Sequence, residues 1–490
     1  MTDVVTNDEG VKENTLFETV VQGGYCIGCG ACAAVQGASI EVRLNTLGCF
    51  EAVSTPGGQR GGVEEIIANV CPFSDQARNE TEIGRDLFGD SVYDEHIGYY
   101  RSAYAGYVAE GNFRALGSSG GMGKWILAEL LRTGQVDAVI QVHAEEPSAE
   151  GLVYRYQVAR SVEEVRTGSK SVYYPVEMAE VLAYVCEYPG RYAITGIPCF
   201  IKAVRLLAEQ EPVVKERIVF CVGLICGHLK SLRYADMIAW QFGVQPGDLA
   251  AIDFRKKLPS AKANEKGVAV ESIRQEENVK DPDVVQHLFG TNYNHGFFQY
   301  KACDFCDDVV GETADISVGD AWLPEYLSDG NGTSVVVVRH PVIEQLVQHA
   351  LEEGRLHLEP LDAARVAQSQ AGGFRQRREG LAYRLHLADE QAIWRPQKRV
   401  SANAKHLSRK RKAIYRLRSR MSEQSHHAFR RALEQRDFTL FRQEMVPLLA
   451  AYQELYKPTL WHRIKRGLQR RGKKIGQKLG LGSGRKVEKA

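Results

Sequence analysis

RYAITGIPCFIKAVRLLAEQEPVVKERIVFCVGLI, residues 191–225, decides the fold class. An apolar run at 191–195 breaks at Gly196 and Pro198, an amphipathic stretch follows over 199–209, and a second apolar run closes the segment at 218–225. Extended and helical periodicities alternating across short Gly/Pro breaks read as α/β architecture. The alternation continues outward from Arg101 to about Leu361. Strands are expected at 137–142, 314–318 and 333–339, and helices at 123–132, 175–187, 232–242 and 341–353. Segment 257–285 is polar and reads as a surface excursion carrying a short hairpin.

The 490 residues exceed one ordinary domain, and three regions are expected. Residues 20–76 are rich in Gly and Cys and poor in helical period, which suits a small module held together by a metal; residues 100–390 form the α/β body; residues 391–490 are a basic helical tail. The charge divides at the same place. Residues 1–390 carry 35 Lys and Arg against 55 Asp and Glu, a net of −20, and residues 391–490 carry 27 against 6, a net of +21. The start, MTDVVTNDEGVKEN, lacks the basic flank and apolar run of a secretory signal. No run of ~18 uncharged apolar residues offers a membrane span. Eleven cysteines in short-spaced groups then point to metal binding in a reducing, cytoplasmic compartment rather than to disulfides.

Cys26-Ile-Gly-Cys29-Gly-Ala-Cys32 has the C-x₂-C-x₂-C spacing that places three thiolates on three corners of an iron–sulfur cubane. In two-cluster ferredoxins the motif continues x₃-C-P, and that last cysteine serves the other cluster. Here the local fourth position is Gln36, while Cys71-Pro72 stands alone, its three upstream positions being Gly61, Glu64 and Ile67. Cys26, Cys29, Cys32 and Cys71 therefore make one complete ligand set for a [4Fe–4S] cluster. A four-thiolate zinc site is the competing reading. Cys49, between the motifs, reads as a small buried hydrophobe.

A second group is Cys199, after a strand, Cys226, at the end of another, and Cys303-Asp-Phe-Cys306, in a loop. Strand ends of open α/β sheets gather into ligand sites, so four thiols from separate segments can meet there, although each alone is more often a core residue. A redox dithiol or half of a zinc site are rival readings of 303–306. Cys186 and Cys221 look structural.

Gly117-Ser118-Ser119-Gly120-Gly121-Met-Gly123 precedes an amphipathic helix, so free N–H groups and hydroxyls at a helix N-terminus suit an anion. The Walker and dinucleotide spacings are absent, and a glycine turn without ligand is the alternative. Gly168-Ser169-Lys170 adds a cation able to reach a phosphate or flavin ring. Asp253-Phe-Arg255-Lys256-Lys257 ends a strand with three cations, and Asp315 and Asp320 flank another strand, where turn chemistry would account for them. His143, His228 and His295 read as ordinary polar residues.

Together CIGCGAC (26–32), SSGGMGKW (118–125), GSKSVYYP (168–175), TGIPCFIKAVR (195–205), GLICGH (223–228), DFRKK (253–257) and CDFCDDVVGETADISVGD (303–320) resemble the family of coenzyme F420 hydrogenase/dehydrogenase beta subunits over roughly residues 20–390. The resemblance implies an iron–sulfur flavoprotein: a ferredoxin-like module, then an α/β flavin domain with FAD (or FMN) near Ser118, Ser119, Gly120, Gly121 and Lys170. It also implies a second [4Fe–4S] cluster on Cys199, Cys226, Cys303 and Cys306. The expected activity is oxidoreduction of a deazaflavin or organic substrate with a ferredoxin partner, or electron transfer as part of a dehydrogenase complex. Two departures stand out: the second ferredoxin motif is reduced to Cys71-Pro72, and the basic extension lies outside the family core. Residues 461–480 set Trp461, Ile464 and Leu468 among eight Lys and Arg, a composition that suits an anionic membrane surface more than nucleic acid.

Overall fold

The computed structural model describes residues 15–56, 62–147, 151–274 and 283–457. At its centre is an eight-stranded mixed sheet, with the spatial order Leu356–Pro360, Ser102–Val108, Ser334–Val338, Ile316–Asp320, Ile218–Leu224, Tyr192–Gly196, Ala138–Ala144, Tyr154–Ala159. The strands at 316–320, 218–224, 192–196 and 138–144 run parallel, and the remaining pairings are antiparallel.

Helices cover both faces, as the strand period requires. Ala138, Ile140, Ile194 and Cys221 point into one core with helices Ala179–Glu187 and Pro198–Gln210. Their sequence neighbours Val139, Ala193, Phe220 and Val222 point into another with Met122–Arg132 and Pro341–Glu352. Alternate residues facing opposite layers explain why these strands read as continuous apolar runs.

Each strand and helix expected between 123 and 353 is present, with shifted ends. The helix expected over 175–187 starts only at Ala179. The two edge strands, Tyr154–Ala159 and Leu356–Pro360, and the interior strand Ser102–Val108 were not expected. The short hairpin expected in 257–285 is present, Gly267–Ser272 pairing antiparallel with Asp283–Val284. Gly267–Ser272 also pairs with Leu249–Lys256 and buries Val268 and Val270 in a third core, so the stretch is not the surface excursion expected.

The amino-terminal segment carries an antiparallel hairpin, Ile40–Leu44 with Phe50–Ser54, and helix Val63–Val70. It has no core of its own: Tyr25, Ile27, Ile67 and Val70 share one apolar cluster with Phe200 and Leu207 of the body. After residue 391 the chain does not trail away. Helices Arg409–Gln435 and Phe438–Tyr456 turn back on each other at Arg436, and bury Met421, Phe429, Phe441 and Met445 against Met237 and Phe254. Among the described residues no helix is long and apolar enough to cross a membrane. The 461–480 segment lies outside the described residues.

Candidate functional site

Cys26, Cys29, Cys32 and Cys71 line one cavity, whose other walls include Leu16, Val20, Val70 and Phe73. Two glycines make the loop possible. Gly28 and Gly30 have φ +62° and +85°, and a Cβ on Gly30 would stand 2.6 Å from the Ala179 nitrogen. The backbone N–H groups of Gly28 and Ala52 each donate to Cys26 Sγ at 3.4 Å. Burial pushes every one of these thiols up, Cys71 to about 12, and a charge on Cys26 opposes ionisation of Cys29, Cys32 and Cys71.

Four thiols whose ionisation burial opposes, lining a cavity with no cation among its wall residues, are a donor set suited to a bound positive centre. Among the described residues no group of three or more His, Cys, Asp or Glu is drawn together tightly enough for a single metal ion. Four sulfurs around one cavity are the donor chemistry of thiolate-held metal centres.

Cys199 lies in the first turn of helix Pro198–Gln210, Cys226 follows strand Ile218–Leu224, Cys303 lies within the turn Lys301–Phe305 and Cys306 directly follows it. Burial raises the Cys199 pKa, and its neighbours Cys306, Cys226 and Cys303 raise it further, so the four are mutually close. The Leu229 N–H donates to Cys303 Sγ at 3.2 Å. Unlike the first set, this one has a resident cation: Arg377, fully buried, donates to the Gly227 carbonyl at 2.7 Å and to the Asp308 carbonyl. Burial works against its charge, and Cys306, Cys226 and Cys303 more than offset that.

The two sets adjoin. Cys29 is among the groups that oppose ionisation of Cys199. Between them stands Tyr156, its hydroxyl donating to the Thr195 carbonyl at 2.9 Å, its pKa raised by burial and then by Cys199 and Cys29.

The 303–312 loop is fixed from several sides. Asp304 accepts from Gln299 at 2.9 Å and from Ser419 at 2.6 Å, and Arg384 donates to its carbonyl at 2.6 Å. Arg399 donates to Glu312 at 2.6 and 2.9 Å and to Asp307 at 3.2 Å, with Glu80 at 3.5 Å.

A cavity of about 600 Å³ opens beside Lys170, lined also by Leu116, Lys124, Tyr154, Arg166, Ser169 and Phe254. Lys170 is paired with Asp253 at 2.6 Å. Lys124 donates to the Arg166 carbonyl at 2.8 Å, and burial and then Lys170 lower its pKa to about 8.

The 118–121 turn lies behind this wall rather than on it. Ser118 Oγ accepts from the Ser171 N–H at 2.8 Å, and Ser119 Oγ donates to the Thr333 carbonyl at 2.9 Å. A Cβ on Gly120 would stand 2.5 Å from the Gly106 carbonyl oxygen. These residues hold the Lys170 loop and two interior strands, Ser102–Val108 and Ser334–Val338, in place, and the cations lining the cavity are Lys124, Lys170 and Arg166. Lys124 and Arg166 were missed by sequence reading, although Lys124 sits within SSGGMGKW.

Arg255 forms a buried two-pronged pair with Asp320, and Asp315 pairs with Arg205 at 2.7 Å while accepting the Cys221 N–H, so both aspartates do more than turn chemistry. Lys257 donates to the Ser119 carbonyl at 3.1 Å. Cys221 is buried, Cys186 is exposed, and Cys49 is half-buried with its sulfur 3.9 Å from His426 Nε2. Burial lowers the pKa of His143, His228 and His295, the last to about 4.

Two family models, describing the amino-terminal and carboxy-terminal parts of the coenzyme F420 hydrogenase/dehydrogenase beta subunit, match residues 103–183 and 190–364 respectively. The chain belongs to the family of coenzyme F420 hydrogenase/dehydrogenase beta subunits. Among relatives, one of the subunits of the F(420)H(2) dehydrogenase of Methanosarcina mazei is 26% identical over 360 residues, spanning 70% of this chain and 86% of that one. A chain of the F420-reducing [NiFe] hydrogenase complex from Methanosarcina barkeri aligns with a TM-score of 0.46 and 17% identity, over 60% of this family member and 96% of that chain. Membership supports an electron-transfer oxidoreductase. The cysteine segment before residue 103 and everything beyond residue 364 fall outside the matched family regions.

Proposed function

We propose that the protein is an iron–sulfur flavoprotein that moves electrons between a one-electron carrier such as ferredoxin and a deazaflavin or organic substrate. Cys26, Cys29, Cys32 and Cys71 hold one [4Fe–4S] cluster, and Cys199, Cys226, Cys303 and Cys306 a second. A flavin, FAD or FMN, supplies the exchange between single-electron and hydride chemistry. Lys124, Lys170 and Arg166 offer it cations, while Tyr154 and Phe254 give the cavity an apolar wall. Arg377 favours electron-rich states of the second thiolate set, because a buried cation lowers the energy of added negative charge.

The observation that carries this reading is that seven of the eight thiols, all but Cys226, share one apolar core with Tyr156, whose hydroxyl feels both Cys199 and Cys29. Anaerobic purification with iron, sulfide, zinc and flavin analysis tests it. About eight iron and one flavin per chain are expected. About four iron would leave only the first set, and zinc without iron would overturn the redox reading.

A second reading, an electron-transfer subunit without its own substrate, draws on the M. mazei relative, which is one subunit of a dehydrogenase. Copurification of a dehydrogenase partner, with no F420 or organic-substrate turnover by the isolated chain, would favour it.

A further inference from the structure

We infer that the solvent face of helix Arg409–Gln435, with Lys301 beside it, is the docking surface for a small acidic electron-carrier protein. This rests on the iron–sulfur reading above. Ile414, Met421, Ser425 and Phe429 turn inward, which leaves Arg409, Arg416 and Arg420 on one exposed stripe that rises about 16 Å along the helix. Arg416 and Arg420 are in no ion pair among the described residues, and Arg416 lies 5.6 Å over the Tyr383 ring. Next on the stripe is Glu423, and the helix packs against the turn Lys301–Phe305.

Lys301 ties the stripe to the thiols. It is exposed, lies 4.4 Å over the Tyr25 ring and donates to the Gly23 carbonyl at 2.6 Å. Tyr25 directly precedes Cys26, and its ring meets Phe305, between Cys303 and Cys306, edge-on at 5.0 Å. Lys301 therefore stands over an aromatic contact that joins the two cysteine loops, two residues from Cys303. Inside the helix, Ser419 holds Asp304 of the same loop.

Charge chooses the occupant. Residues 1–390 carry a net of −20, so an extended polyanion that reaches past the basic extension onto the body meets repulsion. A small acidic protein can touch the basic stripe alone, and electron-transfer encounters bury little area and depend on steering. A membrane or nucleic acid has no use for proximity to the thiols. On docking, one electron leaves the reduced carrier, which is oxidised, and enters the iron–sulfur centres, which are reduced.

The test is stopped-flow reduction of the holoprotein by a pre-reduced, desalted low-potential ferredoxin, with reduced methyl viologen as a cationic small-molecule control. In Arg416→Glu/Arg420→Glu the second-order rate constant with ferredoxin falls about 10- to 100-fold at low ionic strength and loses most of its salt dependence. Iron content and the viologen rate stay at wild-type values. If reversal impairs folding, Arg416→Gln/Arg420→Gln shows the same selectivity with a smaller loss.

Unchanged ferredoxin rates and salt slopes in the variants overturn the assignment. So does sedimentation with phosphatidylglycerol vesicles, or retention on nucleic acid, that the variants lose while the ferredoxin rate persists. Wild-type protein containing no iron removes the underlying redox reading, and the docking assignment falls with it.

Discussion

Arg399→Leu removes the cation that joins the carboxy-terminal extension to the cysteine loop. The wild-type guanidinium faces Glu312, Asp307 and Glu80, whose side chains are 3%, 1% and 7% exposed. Taking one partner out of a buried charge network costs about 3–5 kcal/mol, because the remaining charges stay buried without compensation. Lys202, 3.2 Å from Glu80, and Arg378, 3.7 Å from Glu312, remain and argue for the lower end. A loss of ~3 kcal/mol corresponds to local opening about 150-fold more frequent. Amide hydrogen exchange read by mass spectrometry should show that acceleration in peptides covering 303–312 and 394–400, and not in Ile218–Leu224, which opens only with the sheet.

The pH dependence supplies a second arm of the same test. Burial opposes ionisation of Glu80 and Asp307, but Lys202 and Arg399 respectively lead the cations that outweigh it, so both folded-state pKa values are depressed. Such groups contribute stability above the unfolded carboxylate pKa of ~4, and it is lost only as pH falls through the lower folded values. In Arg399→Leu those values rise and the variant takes up protons earlier. Its deficit therefore narrows as pH falls from 7 towards 5, and adding Glu312→Gln recovers at least ~1 kcal/mol. Exchange in 303–312 within threefold of wild type, or a deficit that ignores pH, would refute the network.

Cys71→Ser is expected to lower iron by about half and leave the second set loaded, as seen by iron analysis and electron paramagnetic resonance; loss of all iron would mean that the two sets do not assemble separately. In the cavity, Lys124 is held at about 8 by burial and the neighbouring Lys170 charge, so it is a cation at pH 7 that fades through pH 8. Fluorescence titration with flavin mononucleotide should show affinity declining between pH 7 and pH 9. Lys124→Arg flattens that decline, and a flat wild-type profile would detach Lys124 from the anion.

The α/β body was legible because its inner strands are buried on both faces. Val335, Val336, Val337 and Val338 are all buried, and such a run stands out whatever follows it. The edge strands were not, because Leu356–Pro360 buries only Leu356 and mixes exposed His357 and Glu359 into its five residues. The first four cysteines were legible as a group because Gly28 and Gly30 permit the tight turns that bring Cys26, Cys29 and Cys32 to one cavity with Cys71. Single cations could not. Arg399 stands in a basic run that sequence statistics assign to a solvated tail, and nothing local reveals that Glu80 and Glu312, more than 80 residues away, enclose it. The serines and glycines of 118–121 drew attention as an anion cradle, yet their hydroxyls and close approaches are spent on Ser171, Thr333 and Gly106.

The opposed charges of body and extension then acquire a division of labour. Arg395, Arg399 and Arg411 are paired with Asp389, Glu312 and Glu379, each a carboxylate of the acidic portion, so part of the basic excess holds the extension down. Charges used this way are neutralised locally and steer nothing over distance. Arg409, Arg416 and Arg420 are left outside those pairs, on the helix whose inner side grips Asp304 through Ser419. One helix thus presents unpaired cations outward and fixes the Cys303–Cys306 loop inward. A partner attracted by the outer face arrives beside the thiols that the inner face holds still, which is what a fast, weak electron-transfer encounter requires.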